Sequence, residues 1–391
     1  MLWSRPPPAT GQRRASSPLT ARLTAALAVP GLDPHRTGAI AIDLGTGRVV
    51  FARNASLSLR PASNEKLSVL LAALISLGPA FRMHTDVLGE GRLVSSSVWR
   101  GRLVLKGFGD PTLSSAGLTR LAVQIRALGI RRVTGAIVAD EAYFDARRTA
   151  PGWPPSFFLE ESPPLGALVV DRARVAGTTT TRPALAAATL FRDALRRMGI
   201  RVLGPVEVAR TGGLPLASIH SPPLAEIARA VAARSDNFTA EMLLKELGAA
   251  VGGAGTSAAG DAVVRSVLAG RGIPLEGARI ADGSGLSPLD RLTPRTIASI
   301  LAEAWRDPAL RRPFVGALAV AGRTGTLRHR LGQPPARGNV RAKTGTTDFA
   351  SALSGFVRDR YAFALVQNGD PVSTLAAHAA QDRFVTVLAS A

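Results

Sequence analysis

A serine and a lysine three residues apart head an apolar run: Pro61-Ala62-Ser63-Asn64-Glu65-Lys66-Leu67, then Val69, Leu70, Leu71 and Leu74. Apolar residues at this spacing predict an amphipathic or buried helix. Pro61 suits its start, where no backbone donor is needed. Residues i and i+3 share a helix face, so Ser63 and Lys66 are expected to touch near the positive end of the helix, where N–H groups are unpaired. A hydroxyl beside an amine that can lose its proton is a recipe for an activated nucleophile. Alone, Ser-x-x-Lys arises by chance in many chains, and an exposed helix lysine is the plain alternative.

The rest of the composition sharpens the choice. Among 48 basic residues only four are lysines, Lys66, Lys106, Lys245 and Lys343. Arginine keeps its proton at accessible pH, whereas a buried lysine can give its proton up. A lysine retained against that background is a better candidate for chemistry than one in an ordinary protein. The chain has no cysteine, which excludes disulfides, thiolate metal sites and a cysteine nucleophile. Its five histidines are far apart and show no metal-ligand spacing, and no cofactor is expected. The net charge of +20 points to an anionic partner or surroundings. The arginines are scattered, without a basic stripe carrying interleaved aromatics, so nucleic acid is not expected. An anionic cell-wall polymer or a membrane surface is the remaining candidate. No apolar run is long enough to span a bilayer.

With 391 residues and 46% hydrophobic content, the chain can form two domains or one large one around a real core. Residues 1–18 read as a flexible N-terminus, in which Arg13-Arg14 suggests an export signal that Arg22 interrupts. A hairpin is predicted from Gly38 to Phe51, leading into the Ser63 helix, which ends near Gly78-Pro79. From 82 to 210 the texture changes to short strands and turns, with helices near 116–128 and 184–198 and a hairpin around Gly204. This segment reads as an inserted accessory domain. Residues 19–81 and 211–391 then form the catalytic domain. Its later elements are helices from Leu224, Ala240, Asp261, Pro294 and Pro308, strands at Val340–Thr344, Ala350–Val357 and Ala362–Gln367, and a closing helix from Ser373 to Leu388.

Three short motifs stand in order: Ser63-x-x-Lys66, Ser235-Asp236-Asn237 and Lys343-Thr344-Gly345. Each is common alone; the trio is the signature of penicillin-binding proteins and class A β-lactamases. Arg323-Thr324-Gly325-Thr326 mimics the third motif, but it follows a helix into a loop. Lys343 follows a strand-like Val340-Arg341-Ala342, which would place its ammonium on an edge strand facing the nucleophile. Together with Lys106-Gly107-Phe108-Gly109-Asp110-Pro111, Gly152-Trp153-Pro154 and Asp282-Gly283-Ser284-Gly285-Leu286-Ser287, these stretches make the chain resemble the D-alanyl-D-alanine carboxypeptidase/endopeptidase family of penicillin-binding proteins, of the low-molecular-mass class C type. The likeness runs from about residue 20 to the C-terminus.

The resemblance implies an α+β fold: a serine β-lactamase/transpeptidase-like domain, with an antiparallel sheet flanked by helices and a domain inserted between the first and second motifs. It implies a serine hydrolase acting on peptidoglycan stem peptides and acylated by β-lactam antibiotics. Ser63 would attack the carbonyl of the penultimate D-alanine, with neutral Lys66 taking its proton. Lowering the Lys66 pKa needs burial or a nearby cation, and Lys343 would supply the latter. Ser235 would relay a proton between Lys66 and the leaving amine, and Asn237 would hold the donor peptide and orient Lys66. Lys343 and Thr344 would bind the terminal carboxylate, and the N–H groups of Ser63 and Thr346 would form the oxyanion hole. Asp236, Gly107, Asp110 and Asp282 to Ser284 are expected to be structural, and Lys106 and Lys245 surface or structural. The family is exported, which implies an extracytoplasmic location, although no clear signal peptide is visible. One accessory insertion of the family also looks reduced after Val175. Three alternatives stay open: a class A-like β-lactamase, whose Glu-x-x-Leu-Asn loop is missing here; an inactive cell-wall binding protein on the same scaffold; and a small-ester esterase.

Overall fold

The computed structural model describes residues 18–391. The expected N-terminal segment and Arg13-Arg14 lie outside the described residues, apart from Pro18, which opens the helix Pro18–Ala26. Two sheets organise the chain. The first has six antiparallel strands in the order Ala319–Val320, Val340–Thr347, Ala350–Val357, Tyr361–Asn368, Thr37–Asp43 and Val49–Arg53. Every residue of Ala350–Val357 is buried, so this strand reads as a near-continuous run of small and apolar residues rather than an alternation, as a sheet covered on both faces demands.

One face is covered by the helices Pro18–Ala26 and Thr374–Ala389, whose Leu23, Phe384 and Leu388 pack against Ala41, Leu353 and Phe363. The other face carries Lys66–Ser76, Leu224–Ala232, Asn237–Ala250, Pro294–Arg306 and Pro308–Ala317 around the larger core. The Lys66–Ser76 helix lies at the centre of that core, with Lys66 through Leu74 all buried. The α+β architecture expected from the sequence is therefore present.

The second sheet has seven strands and is covered by the helices Ser115–Ala127 and Pro183–Arg197. It includes Leu214–His220, antiparallel to His84–Val94. The boundary expected at 210 is thus corrected: ladder hydrogen bonding carries the second sheet to His220. The hairpin expected at Gly204 is also corrected. Arg201–Val202 pairs in parallel with Arg132–Val133, and Val206–Val208 pairs in parallel with Ile137–Asp140. Two kinked strands run side by side here, and their kinks meet at glycines. A Cβ on Gly204 would lie 2.4 Å from the Gly135 carbonyl carbon, so the glycine signals a close crossing rather than a turn.

Candidate active site

Ser63 lies in a 3-10 turn, Ala62–Glu65, and the α-helix proper begins at Lys66. The expectation of one helix from Pro61 is corrected in this detail. In a 3-10 turn residues i and i+3 eclipse, which stacks the serine over the lysine. Lys66 Nζ is 3.0 Å from Ser63 Oγ. It also donates to Asn237 Oδ1 at 2.9 Å and to the Ser284 carbonyl at 2.6 Å. Lys66 is fully buried while Ser63 is partly exposed, so the hydroxyl meets solvent and the amine does not.

The second motif is built by a helix cap. Asp236 Oδ1 accepts the Thr239 N–H at 2.7 Å, which makes Asp236 the N-cap of Asn237–Ala250. Arg172 holds its other oxygen at 2.8 Å. The middle residue of the motif is thus structural, as expected, and its neighbours project into the site. The helix begins at Asn237, three residues before its expected start. Asn237 Nδ2 donates to the Glu161 carbonyl at 3.0 Å, so a loop of the second-sheet region forms one wall. Ala62 and Ser235 have φ of +46° and +59°. Two non-glycine residues in the left-handed region beside Ser63 are the kind of backbone strain that gathers at functional sites.

Lys343 is buried on Val340–Thr347 and donates to Ser235 Oγ and to the Thr344 carbonyl, each at 2.7 Å. The expected contact between Ser235 and Lys66 is absent among the described hydrogen bonds; Ser235 belongs to Lys343. Ala319–Val320 pairs only with Ala342 and Arg341, so from Lys343 onward the strand is an open edge among the described residues. A Cβ on Gly345 would stand 3.0 Å from the Ser63 nitrogen; glycine there lets the edge approach Ser63. Thr344 Oγ1 donates to Thr326 Oγ1 at 2.7 Å. The loop that mimics the third motif therefore lines the site without replacing Lys343. A cavity of about 150 Å³ opens beside Ala62, lined by Phe157, Leu286 and Phe349.

Burial brings the Lys66 pKa down to about 8, against the pull of Asp282, Glu241, Asp236 and Asp290. Of the two expected causes, burial and a nearby cation, burial is the main agent. Burial, and then the Lys66 charge, also push Lys343 well below the usual lysine range. Burial holds Glu241 up near 8, and raises Glu65 and Asp290. Of the remaining lysines, Lys106 pairs with Asp140 at 3.1 Å, and Lys245 is fully buried against Asp145 and the Arg147 carbonyl. Among the described residues no group of three or more histidines and carboxylates is arranged to hold a metal ion.

Sequence reasoning missed the Ser284 carbonyl, Glu161 and Thr326. A backbone carbonyl has no residue signature; the density of small residues at 282–287 was the only available hint.

Residues 19–182 and 166–391 match the D-Ala-D-Ala carboxypeptidase 3 (S13) family. The chain is 32% identical to a D-alanyl-D-alanine carboxypeptidase of Actinomadura sp. (strain R39), covering 89% of this chain and 80% of that one. It is 34% identical to carboxypeptidase DacB of Mycolicibacterium smegmatis, covering 93% and 85%. The fold superposes on the crystal structure of penicillin binding protein 4 (dacB) from Haemophilus influenzae with a TM-score of 0.81, at 24% identity, over 94% of this chain and 98% of that one. With its family match running from residue 19 to the C-terminus, the chain belongs to the D-Ala-D-Ala carboxypeptidase 3 (S13) family.

Proposed function

We infer that this chain is a serine D-Ala-D-Ala carboxypeptidase/endopeptidase of peptidoglycan that works through an acyl-enzyme on Ser63. The observation that carries the reading is the 3.0 Å approach of a buried amine to a reachable hydroxyl. Neutral Lys66 keeps two N–H donors, matched by Asn237 Oδ1 and the Ser284 carbonyl, and turns its lone pair to the Ser63 O–H. Ser63 Oγ adds to the carbonyl of the penultimate D-alanine as its proton passes to Lys66. The N–H groups of Ser63 and Thr346 receive the oxyanion. The C–N bond then breaks as the proton held by Lys66 passes to the leaving D-alanine amine, with Ser235, 2.7 Å from Lys343 Nζ, as the relay. Lys66 is thereby neutral again when water attacks the ester. Water hydrolyses the ester and restores Ser63. The stem peptide adds as a strand along the open edge from Lys343 to Thr347, with its terminal carboxylate at Lys343 and Thr344.

A β-lactam follows the same route, but its leaving group stays tethered, so the acyl-enzyme persists. Residues 84–220 act as an accessory domain whose Glu161 carbonyl steadies Asn237. The alignment to the Actinomadura protein runs over 439 residues while using 89% of this chain, so that relative carries stretches without a counterpart here, in keeping with a reduced insertion. Peptidoglycan as substrate implies an extracytoplasmic site of action, and the net charge of +20 favours contact with anionic wall polymer. Among the described residues no helix is long and apolar enough to cross a membrane.

Incubation with a D-Ala-D-Ala-terminated peptide tests the reading. Release of one D-alanine per peptide, abolished by Ser63→Ala, is expected; release that survives Ser63→Ala contradicts it. Fast nitrocefin turnover would favour a β-lactamase, whereas stoichiometric trapping favours a peptidase.

A further inference from the structure

The Ser284 carbonyl that receives the Lys66 ammonium belongs to the same planar peptide as the Gly285 N–H. In a trans peptide these two groups point in opposite directions. The Gly285 N–H donates to Asp282 Oδ1 at 2.6 Å, and the Ser284 carbonyl accepts from Lys66 Nζ at 2.6 Å. One rigid unit is therefore gripped by a carboxylate at one end and by the lysine at the other. Glycine is required beside it, because a Cβ at position 285, where φ is +81°, would fall 1.8 Å from the Ala62 carbonyl oxygen. The peptide lies against the backbone of the nucleophile's own turn.

Asp282 is fully buried and all of its side-chain partners donate. Besides the Gly285 N–H, Oδ1 takes the Ser284 N–H at 3.1 Å. Oδ2 takes the Ser287 N–H at 2.8 Å, the Ser284 hydroxyl at 3.1 Å and the indole N–H of Trp153 at 2.7 Å. Four of these five donors come from the turn itself. The fifth, Trp153, is 129 positions away in the accessory domain and is half-buried. The path from that domain to the base thus has three links: indole N–H to carboxylate, carboxylate to peptide, peptide to ammonium.

We propose that Asp282 is a positioning residue for the Lys66 base, and that Trp153 makes the accessory domain part of this support, so that the insert governs acylation by setting where Lys66 stands rather than only by shaping a binding surface. The proposal rests on Ser63 and Lys66 acting as described above. Electrostatics point the same way. Lys66 faces Asp282 and Asp290 from the turn, Glu241 and Asp236 from the neighbouring helix and Lys343 from the strand. Asp282 is the strongest of the carboxylates that oppose the effect of burial on Lys66. Replacing it with an amide removes a negative charge and favours neutral Lys66 at lower pH.

The experiment measures acylation by a fluorescent penicillin across pH, separating the first-order acylation constant from the dissociation constant of the non-covalent complex. It compares the full chain with Trp153→Phe, which keeps a six-membered aromatic ring but loses the N–H together with the fused five-membered ring, and with Asp282→Asn. Loss of one hydrogen bond to a charged acceptor predicts an acylation constant lowered about tenfold in Trp153→Phe, with penicillin dissociation unchanged. Asp282→Asn should lose about 10²-fold, as a misplaced catalytic group does, and its acidic limb should move below the wild-type midpoint. Wild-type acylation kinetics and midpoint in Trp153→Phe would overturn the insert's share. A loss in Asp282→Asn that follows only the fraction of folded protein, with the midpoint unmoved, would overturn the positioning role. Failure of the wild type itself to take the label would instead strike the underlying Ser63 reading.

Discussion

Lys66 in the cleft and Lys245 at the seam between the two sheets are the same residue type, each fully buried, and yet they are built for opposite ends. Lys66 is surrounded at hydrogen-bond distance by a hydroxyl, an amide oxygen and a backbone carbonyl, with no carboxylate in ion-pair contact among the described residues. Lys245 is held directly by the carboxylate of Asp145, which comes from the accessory region. Around it Phe144, Leu165 and Val169 of that region pack on Phe238 and Met242. Burial alone does not make a lysine reactive. Burial without a contacting carboxylate leaves Lys66 easier to deprotonate, whereas the Asp145 carboxylate ties Lys245 to the accessory region as a fastener.

The sharpest way to break this comparison is Lys66→Met. Acylation should fall about 10³-fold, the scale of a lost general base, while the melting temperature stays at or above that of the wild type, because a buried cation without a carboxylate partner costs stability. Folded Lys66 titrates near 8 and unfolded lysine near 10.5. Between those values the unfolded chain binds more protons, so stability rises with pH through the window; the variant should lose that rise in denaturant titrations. A lower melting temperature in Lys66→Met would show that the two lysines are alike.

The pH dependence of the wild type sharpens the same point. Only neutral Lys66 accepts the Ser63 proton, so the acylation constant should climb about tenfold per pH unit up to about 8 and then level. A flat profile from pH 6 to 9 would mean that another group is the base.

Lys245→Met is the mirror experiment. Removing one partner of a buried pair leaves the other charge uncompensated. Asp145 is partly exposed, which limits the penalty to about 2 kcal/mol, below the ~3–5 of a fully buried pair. Acylation of the folded fraction should remain within about twofold of wild type, as chemical denaturation and labelling on one sample would show. The smallest effect concerns the loop that mimics the third motif. Thr326→Val removes the partner of Thr344 Oγ1, and one hydrogen bond of about 1 kcal/mol predicts about a fivefold loss in kcat/KM on a D-Ala-D-Ala peptide. No change would place Thr326 outside substrate recognition.

The difference between the two lysines was only half legible in the sequence. Ser63 and Lys66 announce themselves because local helical spacing brings them together, and Asp236 because capping chemistry is local. The strands Ala350–Val357 and Tyr361–Asn368 are legible because both faces are buried and the apolar run is nearly unbroken. Lys245 reads as a surface or structural lysine, because its partner Asp145 lies 100 positions away and nothing in either segment encodes the meeting. The same holds for the Ser284 carbonyl, for the Glu161 carbonyl on Asn237, and for Ser235, whose link to Lys343 rather than Lys66 depends on how the edge strand docks. The kinked strand pair at Gly135 and Gly204 was illegible for a further reason. A glycine forced by a close backbone crossing has the same signature as one in a hairpin turn.

Mass spectrometry of the penicillin-treated protein bears most directly on whether a buried, carboxylate-free lysine has made one alcohol reactive. The expected result is a single stoichiometric adduct on the peptide that contains Ser63, absent in Ser63→Ala and strongly slowed in Lys66→Met. An adduct on any other residue, or equal labelling of Ser63→Ala, would contradict it.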